Sequence, residues 1–132
     1  MRQGLILLFV VVALLGAIVW TGTQKAGPDP LTGLNTPAMT ATAQTGEALF
    51  GQYCRSCHGD QAAGTDQGPP LVHKIYEPSH HPDAAFYLAA QNGVRAHHWR
   101  YGDMPPVEGI TEVEIAPIID YVRAIQRANG ID

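Results

Sequence analysis

The longest apolar stretch lies near the start of the chain, at residues 5–20. As a helix rising about 1.5 Å per residue it would span roughly 24 Å, slightly less than a hydrocarbon core of about 30 Å. No good signal-peptidase cleavage site directly follows this stretch. Ala41-Thr42-Ala43 has the small-x-small form of such a site, but it lies too far downstream. We expect residues 1–20 to be an uncleaved membrane anchor, with a cleaved signal peptide as the alternative.

Either interpretation takes the rest of the chain out of the cytoplasm. Arg2 and the terminal amine precede the apolar stretch, which favours an N-terminus that stays inside. The expected location is therefore a bacterial cytoplasmic membrane, crossed once, with the remaining residues in the periplasm.

The segment after the apolar stretch, residues 21–44, is rich in Thr, Pro and Gly and shows no apolar period. Such a composition predicts a flexible tether. The folded domain is then expected at residues 45–132. A domain this small buries little core and often needs a cofactor or metal to hold it together.

Two helices are predicted in the first two thirds of this domain. One covers residues 46–57, with Thr45 as its N-cap and its apolar side chains on one side. The other covers residues 82–91, because Pro82 suits a first turn and Asn92-Gly93 suits a C-terminal stop.

The strongest helical pattern is at residues 112–128. It opens with a capping box formed by Thr111 and Glu114 and ends before Asn129-Gly130. Its apolar positions fall on one helical face: Ile118, Tyr121, Val122 and Ile125. Pro117 should kink or restart this helix. No run suits a sheet, so the domain is predicted to be all-α.

Both cysteines of the chain lie in the stretch Cys54-Arg55-Ser56-Cys57-His58. Four interpretations compete for a Cys-x-x-Cys-His motif: a disulfide, a redox-active dithiol, half of a zinc site, or a covalent haem attachment. A disulfide leaves His58 unexplained. A dithiol of the thioredoxin type needs a βαβ context, and a structural zinc site usually needs a second paired cluster. Attachment of one c-type haem uses all three residues, with Cys54 and Cys57 bound to the vinyl groups and His58 to the iron.

A haem held this way needs a second axial ligand from far along the chain. Methionine is common there and raises the reduction potential. Met1 starts the leader and Met39 lies in the predicted tether, whereas Met104 lies in the domain between Gly102 and Pro105. Gly and Pro favour an extended loop that can present a thioether, so Met104 is the predicted iron ligand.

Three groups of residues together resemble the class I monohaem cytochromes c over nearly all of residues 45–132. A glycine and an aromatic residue precede the attachment motif and its following glycine: Gly46, Phe50, Cys54, Cys57, His58, Gly59. The loop Gly68-Pro69-Pro70-Leu71 and the dipeptide Met104-Pro105 complete the pattern. The resemblance implies a small helical domain wrapped around the haem, with Gly46 and Phe50 packed on Ile118 and Tyr121.

The resemblance also implies roles around the haem. The carbonyl of Pro69 would accept a hydrogen bond from His58 and orient it. Trp99 would lie along the haem edge and donate its indole N–H to a propionate, or else fill the core. Apart from the resemblance, the chemistry of Arg95 and Arg100 as permanent fork donors suits pairing with propionates, with solvated side chains as the alternative.

Five further histidines remain: His73, His80, His81, His97 and His98. A neighbouring pair can bind metal, so a copper site formed with Met104 is one alternative, and a histidine in place of Met104 on the iron is another. Paired histidines on loops are, however, usually just solvated, and this is the expectation here.

These features predict a non-catalytic one-electron carrier in a respiratory or related periplasmic redox chain, with redox proteins as partners. A haem-bearing subunit of a larger dehydrogenase or oxidase is one alternative, and a gas sensor in which Met104 gives way to a ligand is another. The formal net charge of −4 makes nucleic acid an unsuitable partner.

Overall fold

The structure, a computed structural model, describes residue 29 and residues 31–132. The predicted anchor, residues 1–20, and the first part of the predicted tether lie outside the described residues. Within the part that is described, no helix is both long enough and apolar enough to cross a membrane.

Residues 31–132 contain helices and loops. The α-helices are α1 (Ala41–Tyr53), α2 (Arg55–His58), α3 (Asp83–Asn92) and α4 (Glu112–Ala128), and short 3₁₀ helices lie at Asp60–Ala62 and Lys74–Tyr76. No strand occurs in this part of the chain, where β-pairing is limited to isolated bridges such as that between Val94 and Met104. The predicted helical character of the domain is confirmed.

Helix α1 begins at Ala41 rather than at Gly46, so the predicted start is wrong. Thr40 is the N-cap, and its hydroxyl accepts a hydrogen bond from the Ala43 N–H at 3.1 Å. Thr45 lies inside the helix and donates its hydroxyl to the carbonyl of Ala41. Both threonines are good caps locally. The earlier one is used because the additional turn buries Ala43, which is only 2% exposed.

The end of the predicted first helix is also different, because the chain bends at Cys54. This residue has φ −121° and ψ −32°, outside the regular helical values, and α1 ends at Tyr53. Helix α2 is a separate short turn that contains Cys57 and His58. The two cysteines of the motif therefore lie at a helix junction.

The segment before α1 is attached to the domain. Leu34 and Met39 pack against the core, and the backbone N–H and C=O of Asn35 each bond the side chain of Asn129 at 2.9 Å. The prediction of a flexible tether up to residue 44 is thus wrong for its described final part. The composition of the segment did not show this, because its contacts are with residues distant in sequence.

Helices α3 and α4 follow their predicted bounds closely. α3 is displaced by one residue, with Pro82 as its N-cap, and α4 has the bounds predicted. The carboxylate of Glu114 accepts hydrogen bonds from the N–H and the hydroxyl of Thr111, at 2.9 and 2.7 Å. This confirms the capping interaction at the start of α4.

Pro117 does not interrupt α4, so the predicted restart of the helix is wrong. A proline inside a helix leaves the carbonyl four residues earlier without its partner. That residue is Val113, which is 83% exposed. Water can therefore reach this turn, and the helix continues through the proline.

The first and last long helices cross closely at Gly46. A Cβ at this position would overlap the backbone carbonyl of Pro117 and would lie 3.0 Å from the Cβ of Tyr121. The rings of Phe50 and Tyr121 lie 5.4 Å apart at the crossing. The packing that the family resemblance implies is therefore present, and it forms the main core with these buried residues: Phe50, Ala62, Ile118, Tyr121, Val122, Ile125.

Gly46→Ala should destabilise the domain, because the added methyl group forces α1 and α4 apart. Overpacking of this kind costs about 1–3 kcal/mol. The free energy of unfolding in guanidinium chloride would measure it. Gly51→Ala is a matched control on the same helix, since no atom lies within 4 Å of a Cβ there; it should stabilise by about 0.5–1 kcal/mol. Equal effects of the two substitutions would contradict the close crossing.

Candidate functional site

The cysteine motif is arranged by a single helical turn after α1. The N–H groups of Cys57 and His58 donate to the carbonyl of Cys54 at 3.2 and 2.9 Å. Both thiols are free: Cys54 is half-buried and Cys57 is exposed. The motif therefore presents two thiols from one short helical segment, and no disulfide joins them.

The pKa of the half-buried Cys54 thiol lies above its ordinary value. Burial, with a smaller contribution from Cys57, raises the pKa of Cys54 to about 11. Redox-active dithiols of the thioredoxin type depend instead on a lowered thiol pKa, because the thiolate is the nucleophile. This argues against the dithiol interpretation on physical grounds.

His58 is buried, with 9% exposure, and its Nδ1 lies 2.9 Å from the carbonyl oxygen of Pro69. Burial lowers the pKa of His58, although the hydrogen bond to Pro69 acts in the opposite direction. In the neutral imidazole, Nδ1–H donates to Pro69 and Nε2 carries the free lone pair. A backbone partner of this kind orients a metal-ligating histidine and raises its basicity. The contact implied by the resemblance is present.

The loop after the motif folds back to bring Pro69 onto His58. The Gly64 N–H donates to the His58 carbonyl at 2.6 Å, and the Thr65 hydroxyl donates to the Cys57 carbonyl at 2.6 Å. Gly68 lies directly against Cys57, since a Cβ there would be 2.9 Å from the Cys57 carbonyl oxygen. The two ends of the loop are thus held on helix α2, the short helix that carries Cys57 and His58.

Gly64 is a residue of this site that the sequence reasoning missed. Its φ is +87°, and a Cβ would lie 2.7 Å from the backbone nitrogen of Pro70. Only glycine combines this backbone conformation with so close an approach. A glycine between the attachment motif and the Gly-Pro-Pro-Leu loop was the available signal.

Met104 lies in an extended loop that is fastened to the end of α3. Met104 and Val94 exchange both backbone hydrogen bonds at 2.9 Å, and the Val107 N–H donates to the Ala90 carbonyl at 2.8 Å. Gly93, with φ +73°, allows this contact, because a Cβ there would overlap the Met104 carbonyl. Met104 is half-buried. The loop is non-helical, as its Gly and Pro residues predict.

Of the other predicted haem surroundings, Trp99 has a partner within the protein. Its indole N–H donates to the hydroxyl of Tyr76 at 3.1 Å, and the ring of His73 meets it edge-on at 5.0 Å. Arg95 and Arg100 are exposed and form no ion pair with the rest of residues 31–132. Tyr76 was not identified from the sequence, because its link to Trp99 spans two loops.

A buried arginine on α4 holds the segment between the Gly-Pro-Pro-Leu loop and α3. Arg123 is 5% exposed and donates to Asp83 Oδ1 and to the carbonyls of Tyr76 and His81, at 2.8, 2.8 and 2.5 Å. Gln126 adds a bond to the Leu71 carbonyl at 2.7 Å. These side chains satisfy backbone oxygens that the loop cannot pair internally. The sequence pattern predicts that Arg123 and Gln126 lie on this helix, but it does not predict that they are buried.

A sequence model of the family described as cytochrome c oxidase, cbb3-type, subunit III matches residues 41–122. This is more than half of the chain, and it includes the cysteine motif, the Pro69 loop and the Met104 loop. The chain belongs to this family. It carries a monohaem cytochrome c domain, as the sequence resemblance predicts. Comparisons with curated proteins and with solved structures found no match.

The residues of this cytochrome c domain fit a covalent c-type haem. Two free thiols have the spacing that attachment requires, and His58 is oriented by Pro69 with Nε2 free to bind metal. Gly68 leaves no side chain between the Pro69 loop and Cys57. With the family match, the prediction of a covalent c-type haem and of haem-based electron transfer is confirmed.

Arg123→Met should destabilise the domain by about 2–4 kcal/mol, because it leaves buried carbonyl oxygens without donors. Unfolding by denaturant, followed by circular dichroism, would measure the loss. Arg127→Met is the matched control one turn later, since Arg127 is exposed; it should cost less than about 1 kcal/mol, mainly from the helix end. A negligible loss at Arg123 would show that the network does not hold this segment.

Proposed function

We propose that this cytochrome c domain is a one-electron carrier in a respiratory or related periplasmic redox chain, with His58 and Met104 as the two axial ligands of the haem iron. Its partners would be other redox proteins, and it would catalyse no reaction of its own. The observation that carries the proposal is the arrangement of Cys54, Cys57 and His58 on one turn, with His58 oriented by Pro69.

Each residue of the site has a distinct role in this proposal. Cys54 and Cys57 would hold the haem through thioethers, and His58 would offer Nε2 to the iron while Pro69 keeps the ring in place. When bound, the haem would supply one-electron chemistry between ferrous and ferric iron. Ligation by His and Met raises the reduction potential, because the thioether favours ferrous iron.

The assignment of Met104 rests on the surroundings of the domain's methionines. Met39 packs against the core formed by α1 and α4, so its side chain is already used. Met104 instead lies in a loop that is fixed by the Val94 pairing and by Gly93. A loop fixed in this way holds a weak ligand such as a thioether in position. Arg95 and Arg100, which are exposed, remain available for the haem propionates.

A second candidate function is favoured by the family match. The family is described as a subunit of an oxidase, and a subunit of this kind would transfer electrons inside a larger complex rather than between separate proteins. The haem site and its ligands would be the same in both cases. The two candidates differ only in whether the domain has a permanent partner.

Met104→Leu tests the axial ligand, because it nearly keeps the volume of the side chain and replaces the thioether with a hydrocarbon that cannot bind iron. We expect loss of the weak far-red band that marks sulfur-to-iron ligation in cytochromes c, a lower reduction potential, and rapid binding of carbon monoxide by the ferrous form. Met39→Leu is the matched control and should leave the oxidised and reduced visible spectra unchanged.

Three results would contradict the assignment of Met104 as the iron ligand or of the domain as an electron carrier. If Met104→Leu kept the far-red band, Met104 would not be the sulfur ligand. If the unmodified protein lacked the band and a substitution at His97 or His98 altered its visible spectrum, the axial ligand would be a histidine. Rapid carbon monoxide binding by the unmodified protein would favour the gas-sensor alternative.

The proposed location is a single-pass anchor in the cytoplasmic membrane, with the haem domain in the periplasm. The full-length protein should stay in the membrane pellet after washing with high salt, because the apolar residues 5–20 and not surface charge would hold it. A mature N-terminus within residues 21–43, found by mass spectrometry, would contradict the anchor without affecting the haem assignment.

Extraction of the same membranes with a mild detergent separates the two candidate functions. A free carrier should elute alone from a size-exclusion column, at the size of one detergent-bound chain. Co-elution with a stoichiometric catalytic partner would instead support the oxidase-subunit candidate.

A further inference from the structure

Four histidines that the haem site does not use lie together on one side of the domain. His80 and His81 come from the segment before α3, and His97 and His98 come from the loop before Met104. The ring centroids are 4.7 Å apart for His80 and His81, 5.4 Å for His80 and His98, and 5.3 Å for His81 and His98. The two pairs, distant in sequence, form one cluster.

Three of these imidazoles are spaced as metal ligands. His80, His81 and His98 each offer a ring nitrogen, and these three nitrogens lie within 4.8 Å of one another. In a tetrahedral zinc site with Zn–N distances of about 2.0–2.1 Å, ligand nitrogens are about 3.3 Å apart. Since His80 and His98 are exposed, small rotations of their side chains would bring the three nitrogens to the separation that a tetrahedral site requires.

The orientation of His81 also suits a ligand. Its Nδ1 lies 2.6 Å from the carbonyl oxygen of Ile75, so that in the neutral ring Nδ1–H donates and Nε2 is free. The backbone carbonyl of His81 is held in turn by the buried guanidinium of Arg123. A metal-ligating histidine almost always donates its other ring N–H to a carboxylate, a backbone carbonyl or water. For His81 the Ile75 carbonyl is this partner.

The two loops that carry the cluster are connected beneath it. Trp99, next to His98, donates its indole N–H to Tyr76, which belongs to the same segment as His81. The loop that carries His97 and His98 is also closed by a hydrogen bond from the Ala96 N–H to Asp103 Oδ1 at 2.8 Å. Neither of these two bonds uses a ring nitrogen of the histidines in the cluster.

We propose that His80, His81 and His98 bind a divalent first-row transition-metal ion, at a site separate from the haem. The three ligands are all imidazoles, which suit zinc, copper and nickel and do not suit magnesium or calcium. The expectation that the paired histidines are merely solvated is replaced by this proposal, because the fold brings the two pairs together. A metal bound there would join the loop of Met104 to the segment before α3.

The test uses the intact, haem-loaded protein without a histidine tag, and Zn²⁺ as a redox-inactive probe. Isothermal titration calorimetry should show saturable binding of one Zn²⁺ per chain. His98→Gln and His80→Gln should each weaken binding at least about tenfold, since even the outer partners of ligating histidines are worth about 10–100-fold. Both residues are exposed, so the variants should fold.

His97→Gln is the matched control. His97 is exposed and adjacent to His98, but its nitrogens are not among the three close ones, and Zn²⁺ affinity should change less than twofold. Zn²⁺ should also slow amide hydrogen exchange in residues 94–104 of the unmodified protein and not of His98→Gln.

Absence of saturable one-to-one binding would overturn the proposal, as would equal affinities of the unmodified protein and His98→Gln. Equal losses at His97 and His98 would overturn the assignment of the three ligands. The visible haem spectrum, recorded for every variant, separates this result from the proposed electron-carrier function, because neither His80 nor His98 is a proposed iron ligand.

Discussion

Helix α1 can lie against helix α4 only because Gly46 has no side chain at the crossing. The close approach lets Phe50 and Tyr121 pack in the same core. α1 leads directly into Cys54, so the position of α1 on α4 also determines where the attachment motif begins. The domain is organised in this way around one close contact between its first and last long helices.

Helix α4 has a second function besides forming the core. Much of the domain outside the helices is irregular backbone, whose polar groups need partners when they are buried. Arg123 and Gln126 supply such partners from one face of α4, to the carbonyls of Leu71, Tyr76 and His81. The helix therefore supports the loops that surround the site, although it contributes no proposed ligand.

The loops in turn connect the haem site to the histidine cluster. The loop that presents Met104 also carries His98, and it is attached to the neighbouring segment through Trp99 and Tyr76. An ion held by the histidines would act on the same loop that we propose supplies the axial thioether. The two sites are chemically independent, since they use different residues, but they share one structural element.

The sequence by itself determined the features that depend on neighbouring residues: the Cys-x-x-Cys-His motif, the capping box of Thr111 and Glu114, and the bounds of α4. These are local because helix caps and a covalent attachment use groups only a few positions apart. Only the tertiary structure decided which threonine caps α1, that Arg123 is buried, and that two histidine pairs form one cluster. Each of these depends on contacts between residues distant along the chain, and no short stretch of sequence records which distant residue will be the neighbour.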